Sequence, residues 1–340
     1  MPGENRRSDA QAGVVRIGDV ARAAGVSVAT VSKAFNDRPD VSRATRDRVL
    51  AVAERLNFHP DARARLLSTG RSFSVGLLTS DVYGRFSLPL LIGAEDELGD
   101  GDLSIIFSDT RGDPRRESRQ LRTLMSRHVD GIIVNGRRIQ ERPPLPDTGG
   151  IPVVYALTGS TEPADCSVVA DEAAGAALAV AHLLRSGRHR IAHVTGPRRH
   201  GSAVVRAEAA RTVLREHGLS VRGRVRFGSW SEGWGREATR ALLESVPDLD
   251  AVFCGSDQIA RGVLDALREG GRAVPADVAV VGFDNWSVMI EGSRPALTTV
   301  DLDIETIGRL AARHLVTTIE GGRPPRRTVV TPRLVLRDSA

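Results

Sequence analysis

Two groups of residues in this 340-residue chain have the types and spacing to do chemistry. The first is GVSVATVSKAFN, Gly25 to Asn36, which holds the one lysine, Lys33, among 47 lysines and arginines. Thr30, Ser32 and Lys33 carry donors for phosphate oxygens or base edges, and a lysine donates to guanine O6 or N7. Val28 and Ala29 stand at the start of this segment and Asn36 closes it. The second group lies just past short apolar runs. Ser80, Tyr83 and Phe86 follow SVGLL, Trp230 sits in GSWSEGW, Ser256 and Asp257 in CGSDQIA, and Asp284 in GFDNW. Sugar faces stack on aromatic rings and carboxylates accept from vicinal hydroxyls, so tryptophan with aspartate fits a polyol. There is no Walker A pattern, dinucleotide fingerprint, HExxH or nucleophile elbow. No catalytic residue, cofactor or metal site is expected. His182, His189 and His193 read as surface or core positions. Cys166 and Cys254, in no metal-like spacing, read as reduced thiols.

Charge and periodicity say what positions these residues. Residues 1–72 hold 13 Lys and Arg against 8 Asp and Glu, a net of +5, and residues 73–340 hold 34 of each. A basic module meeting a polyanion, joined to a neutral body, has this asymmetry. In the module Ile17, Val20, Ala21 and Ala24 fall on one helical face. Gly25 suits the left-handed end of that helix and Ser27 the N-cap of the next, over Ala29 to Asn36, with Val31 and Ala34 or Phe35 inward. A third helix starts at the Ser42 cap and turns Val49, Ala53 and Leu56 inward. Two short helices about a glycine turn, closed by a third, describe an all-α helix-turn-helix head.

From Ser74 the chain alternates β-rich runs (SVGLL, LSIIF, GIIV, PVVY, IAHVTG, AVFCG, VAVVGF, LTTVD) with helical periods such as 113–128, 171–186, 202–217, 256–269 and 304–319. Such alternation predicts an α/β body of two doubly wound parallel sheets, with ligands bound at the carboxyl ends of the strands. No apolar run approaches the ~18–20 residues that span a bilayer, so no membrane partner is expected. The first residues, MPGENRRSDAQAG, lack a secretory apolar region, and a cytoplasmic location is expected.

Residues 16–72, RIGDVARAAGVSVATVSKAFNDRPDVSRATRDRVLAVAERLNFHPDARARLLSTGRS, resemble the DNA-binding head and hinge of the LacI/GalR family of transcriptional regulators. The resemblance extends over roughly 16–337. It implies a repressor that binds a palindromic double-stranded operator as a homodimer, with a small sugar-like effector held between two periplasmic-binding-protein-like lobes. It implies a disordered arm over 1–15, a helix-turn-helix over 16–60, a hinge helix and linker over 61–72, and a core over 73–340. In the hinge, Leu67 matches the family's intercalating leucine and Ala64 the small residue where two hinge helices pack, while Arg63 replaces a usual apolar residue and is expected to add a phosphate contact. An apolar wedge in a base step bends the duplex. In the core, the resemblance implies an N-lobe of about 73–169 and 300–323 and a C-lobe of about 170–297 and 324–340, with crossings near 169–171, 296–300 and 321–328.

Phe86, Trp230 and Asp284 match ligand-contacting positions of the family. Its ligand-clamping arginine falls at Val204, with Arg206 two residues on as the basic candidate, and its Asp or Asn after PVVY is Leu157. These two changes argue against a small hexose and leave an apolar glycoside, an aromatic ligand, or a phosphorylated or protein co-effector. The loop Arg198, Arg199 and His200 reads as surface. Arg16 stands where the family has a capping threonine. TPRLVLRDSA carries no leucine heptad, which favours a dimer over a zippered tetramer. A transport solute-binding protein and a sugar-modifying enzyme are the rival readings, opposed by the helix-turn-helix and by the missing catalytic groups.

Overall fold

The computed structural model describes residues 15–35, 38–58, 70–81, 84–99, 103–136 and 141–340. The expected N-terminal arm, save its last residue, and positions 61–69 of the expected hinge lie outside the described residues. The chain divides into two units, Met1–Ser72 and Phe73–Ala340.

The first unit is three helices, α1 (Ile17–Ala24), α2 (Val28–Phe35) and α3 (Arg43–Arg55). Val20, Ala21, Ala24, Val31, Ala34, Val49, Val52 and Ala53 make its core. The turn between α1 and α2 requires φ +66° at Gly25, a conformation that costs glycine nothing. Ser27 Oγ accepts from the Thr30 N–H at 3.1 Å and Ser42 Oγ from the Thr45 N–H at 3.3 Å. Helix α2 starts one residue earlier than its pattern suggests. At Arg16 the side chain makes no cap; the Asp19 carboxylate reaches back to the Arg16 N–H at 2.9 Å. The lost threonine is thus offset by an acid in the first turn.

The second unit holds two six-stranded sheets. In the first lobe β1 (Ser74–Thr79), β2 (Ser104–Asp109), β3 (Gly131–Asn135), β4 (Val153–Ala156), β5 (Cys166–Ala170) and β11 (Arg327–Val330) run in the order β11-β5-β4-β3-β1-β2, all parallel. Helices α4 (Ser87–Gly99), α5 (Pro114–Ser126) and α11 (Ile304–Ile319) cover it. Strand β1 buries Leu77 towards α4 and α11 and Leu78 towards α5, as a parallel strand covered on both faces must. In the second lobe β6 (Ile191–Thr195), β7 (Arg226–Phe227), β8 (Ala251–Cys254), β9 (Ala279–Phe283), β10 (Thr298–Asp301) and β12 (Arg333–Val335) run β12-β10-β9-β8-β6-β7, with β12 antiparallel. Its helices are α6 (Glu172–Arg185), α7 (Gly201–Glu216), α8 (Glu232–Ser245), α9 (Asp257–Glu269) and the short α10 (Ser287–Ile290).

The chain passes between lobes at 170–172, 301–304 and 330–333. The last two crossings fall later than the resemblance implies. Strand β10 completes its pairing with β9 before the chain leaves, and β11 pairs with β5 before β12 returns. The segment 324–340, expected whole in the C-lobe, is therefore shared between both sheets. None of the described helices is long and apolar enough to cross a membrane.

Each lobe contains one helix pair that touches backbone to backbone at glycines. A Cβ on Gly93 of α4 would stand 1.9 Å from the Glu305 carbonyl oxygen, and one on Gly308 of α11 2.2 Å from that of Leu90. In the second lobe a Cβ on Gly235 would stand 2.3 Å from the Ile259 oxygen, and one on Gly262 1.9 Å from that of Glu232. The obstacle is backbone, which cannot rotate away. Gly262→Ala is expected to destabilise the core by about 1–3 kcal/mol, measured by urea unfolding followed through tryptophan fluorescence, while Gly187→Ala, with open space about it but φ +79°, reports strain without overpacking.

Candidate functional site

On the head, Val28, Ala29 and Lys33 are exposed on α2, and Thr30 and Ser32 are half-buried. Thr30 Oγ1 also meets Ser27 Oγ at 2.8 Å, so part of its hydrogen-bonding capacity serves the cap. Lys33 Nζ pairs with Asp40 Oδ2 at 2.5 Å. Both groups are about half exposed, so the pair adds little stability, but it holds the ammonium beside the α2–α3 turn. That ion pair also draws the Asp40 carboxyl below its ordinary pKa. Asn36, Arg63, Ala64 and Leu67 lie outside the described residues, as does Tyr83 of the core.

In the second unit the carboxyl ends of both sheets face a cavity of about 260 Å³. The sequence candidates Phe86, Arg206, Trp230 and Asp284 line it together. The first lobe adds Asp81, Arg85 and Leu157, and the second Glu172, His200, Gln258 and Trp286. Val204 does not line the cavity; Arg206, a half-turn further along α7, supplies the arginine. Ser80 lies in an adjoining chamber. Ser256 and Asp257 are fully buried behind the cavity wall.

A chain of charges crosses the cavity. Asp284, its side chain 1% exposed, forms ion pairs with Arg85 of the first lobe and, at 3.6 Å, with Arg206 Nη2 of the second. Arg206 Nε donates to Glu172 in the first turn of α6, and its Nη1 donates to the Gly255 carbonyl at 2.5 Å. The Arg206 guanidinium lies 3.6 Å from the Phe283 ring centroid, and that of Arg85 lies 4.9 Å from Phe86 and 5.5 Å from Trp286. Cation–π contacts of this kind partly replace lost water. Burial still draws the Arg85 pKa down to about 10. Arg85 Nε is buried without a hydrogen-bond partner, and the Asp284 oxygens face the Arg85 and Arg206 guanidinium groups as ion pairs. The backbone is unusual at the same place, with φ +108° at Asp284 and +60° at Leu157; such strain concentrates at functional sites.

The aromatic wall is built separately. Trp230 lies so close over Gly196 that a Cβ there would stand 2.1 Å from the indole. Its Nε1–H donates to His200 Nδ1 at 2.7 Å, so the loop read as surface supplies the residue that orients the indole. Asp81 Oδ2 accepts from the Phe86 and Ser87 N–H groups at 2.7 and 3.0 Å and thereby fixes the start of α4. Sequence reasoning missed Arg85 and Trp286, although each lies within two residues of a named candidate. It also missed Glu172, whose only signal is its place after a strand at a lobe crossing. Among the described residues no group of His, Cys, Asp and Glu could hold a metal ion.

Asp257 works from behind. Its Oδ2 accepts from the Trp286 N–H at 2.7 Å and its Oδ1 from the Thr299 hydroxyl at 2.5 Å, which pins the turn carrying Asp284. Burial raises its pKa to about 6 against the Thr299 hydrogen bond, and burial lowers that of His193, stacked 4.5 Å from Phe253, to about 4.

The family profile described as "Bacterial regulatory proteins, lacI family" matches residues 16–61, and that described as "Periplasmic binding protein-like domain" matches 180–340. Catabolite control protein A of Priestia megaterium is 35% identical over 309 residues, covering 88% of this chain and 91% of that protein. The solved transcriptional regulator CelR–cellobiose complex is 31% identical with a TM-score of 0.69, covering 96% of this chain and 100% of that one. The lac repressor dimer bound to operator and the anti-inducer ONPF is 26% identical with a TM-score of 0.77, covering 96% and 98%.

The two shifted groups oppose each other with pH. The raised Asp257 contributes stability that is full below pH ~4 and lost as pH rises through about 6,. The depressed His193 contributes stability that is full above pH ~6.5 and lost as pH falls towards about 4,. Asp257→Asn removes the first alone. Relative to this variant, the wild type is expected to lose roughly 2 kcal/mol between pH 4 and 6.5. Urea unfolding at each pH, read through Trp230, Trp234 and Trp286, checks it.

Proposed function

The chain belongs to the lacI family of bacterial regulatory proteins, and from that premise we propose a cytoplasmic repressor that binds a palindromic operator as a homodimer and answers to a neutral, sugar-like molecule in the interlobe cavity. The class, a DNA-binding transcriptional regulator and not an enzyme, follows from the family. The observation that carries the ligand reading is Asp284, buried with its two oxygens facing the guanidinium groups of Arg85 and Arg206, beside the Arg85 Nε that has no hydrogen-bond partner and within one cavity with Trp230. Acceptors and a donor side by side match a vicinal diol, and the indole matches the apolar face of a sugar ring.

Charge supports a neutral ligand. Among the described residues Arg85 and Arg206 face Asp81, Glu172 and Asp284, so two cations meet three carboxylates. Both arginines are ion-paired, and a phosphorylated ligand would add anions to a lining already net negative. Support for a homodimer comes from apolar side chains exposed on the adjacent α4 and β2: Leu88, Ile92 and Phe107 are 57, 42 and 47% exposed, and such patches mark protein contacts. On the head, Val28, Ala29 and Lys33 offer the surface for the major groove. Regulation follows by linkage, since a ligand that prefers one arrangement of the lobes shifts operator affinity by its differential affinity.

The test combines two measurements. DNA selected from a random pool should be palindromic, and a neutral saccharide should raise the core melting temperature and change affinity for that DNA by roughly 5–150-fold. Asp284→Asn and Trp230→Ala should each weaken saccharide binding by about tenfold or more. If no saccharide shifts melting while a sugar phosphate or a protein partner does, the neutral-ligand reading falls.

A further inference from the structure

Beside the aromatic cavity, at the carboxyl ends of β1, β2 and β3, lies a second chamber of about 330 Å³. The two share one wall residue, Gly136, and consecutive residues Leu157 and Thr158 line the first and second respectively. The sill between them is thin because Gly136 has no side chain: a Cβ there would stand 2.4 Å from Thr158 Cβ. The chamber differs from its neighbour in chemistry. Among the described residues it has no aromatic wall; Ser80, Thr110, Thr158 and Asn135 present hydroxyls and an amide. Among the described lining residues the guanidinium of Arg142 is held by Glu117 through two parallel hydrogen bonds of 2.8 and 2.6 Å, and the carboxylate of Glu141 stands 3.9 Å from Arg327 Nη1.

Asn135 is the residue that points to a ligand. It is 2% exposed, its Nδ2 donates to Thr79 Oγ1 at 3.1 Å, and its Oδ1 is buried without a partner. Turning the amide over would satisfy the oxygen and leave the nitrogen instead, so one polar end is left over either way. A buried amide group without a partner costs free energy that a ligand hydroxyl recovers.

We infer that the effector is a two-unit neutral saccharide, a disaccharide or hydroxylated glycoside, whose first ring stacks in the Trp230–Asp284 cavity and whose second unit passes over Gly136 into the chamber and hydrogen-bonds Asn135. This rests on the neutral-sugar reading of the first cavity and adds the length of the ligand. Leu157 at the sill fits the bond between units, which offers less polarity than either ring.

Calorimetric titration of the full chain with a panel of disaccharides and their constituent monosaccharides tests it. A disaccharide should bind at least about tenfold tighter than either constituent. Asn135→Ala, and the milder Ser80→Ala should the first fold poorly, should narrow that ratio, whereas Trp230→Ala should weaken both ligands and keep the ratio. A monosaccharide that binds as tightly as every disaccharide containing it, or a ratio untouched by both chamber variants, overturns the inference and leaves the neutral-sugar reading standing. No binding by any saccharide sinks that reading and this one with it.

Discussion

Asp284, with its side chain 1% exposed between the guanidinium groups of Arg85 and Arg206, is the interaction on which the core's arrangement depends. A buried carboxylate without a counter-charge costs several kcal/mol, and so does a buried guanidinium. The second lobe does not balance alone, since Asp284 and Glu172 meet one cation, Arg206, and the first lobe brings Arg85 to Asp284 across the cavity. The lobes therefore satisfy each other's charges across the cavity. The aromatic rings around the two guanidinium groups keep the network dry and its interactions strong.

Much of the fold was legible because its determinants are local. Gly25, Ser27 and Ser42 announce the head's turns and caps, and each does the expected work in the structure. The eight apolar runs are all strands, since a parallel strand buried on both faces needs an unbroken apolar sequence. The lobe boundaries were less legible. RTVV and RLV are too short and polar to announce strands, and which sheet each joins depends on partners some 160 and 35 residues away.

The site was legible in part for the same reason. Trp230 and Asp284 stand out because an aromatic or an acid just past a strand is conspicuous. Arg85 and His200 do not, because an arginine in a loop of an arginine-rich chain looks like any other. Their roles come from partners 199 and 30 positions away. Ser256 and Asp257 show the reverse. They stand at a strand end like the rest, yet their side chains turn inward to cap α9 and to pin the turn carrying Asp284. Position at a strand end narrows the choice of residues, but only the side-chain direction tells a wall from its support.

The glycine contacts inside each lobe bear on how the core moves. Where helices meet backbone to backbone, neither can slide past the other without a collision of main-chain atoms, so each lobe behaves as a stiff plate. Relative displacement is then confined to the three connectors at 170–172, 301–304 and 330–333. Three short tethers suppress translation and shear and leave rotation about a single axis as the soft coordinate. A molecule gripping both plates far from that axis acts with a long lever arm, so a small change in its size becomes a large change in the angle presented at the far edges of the core.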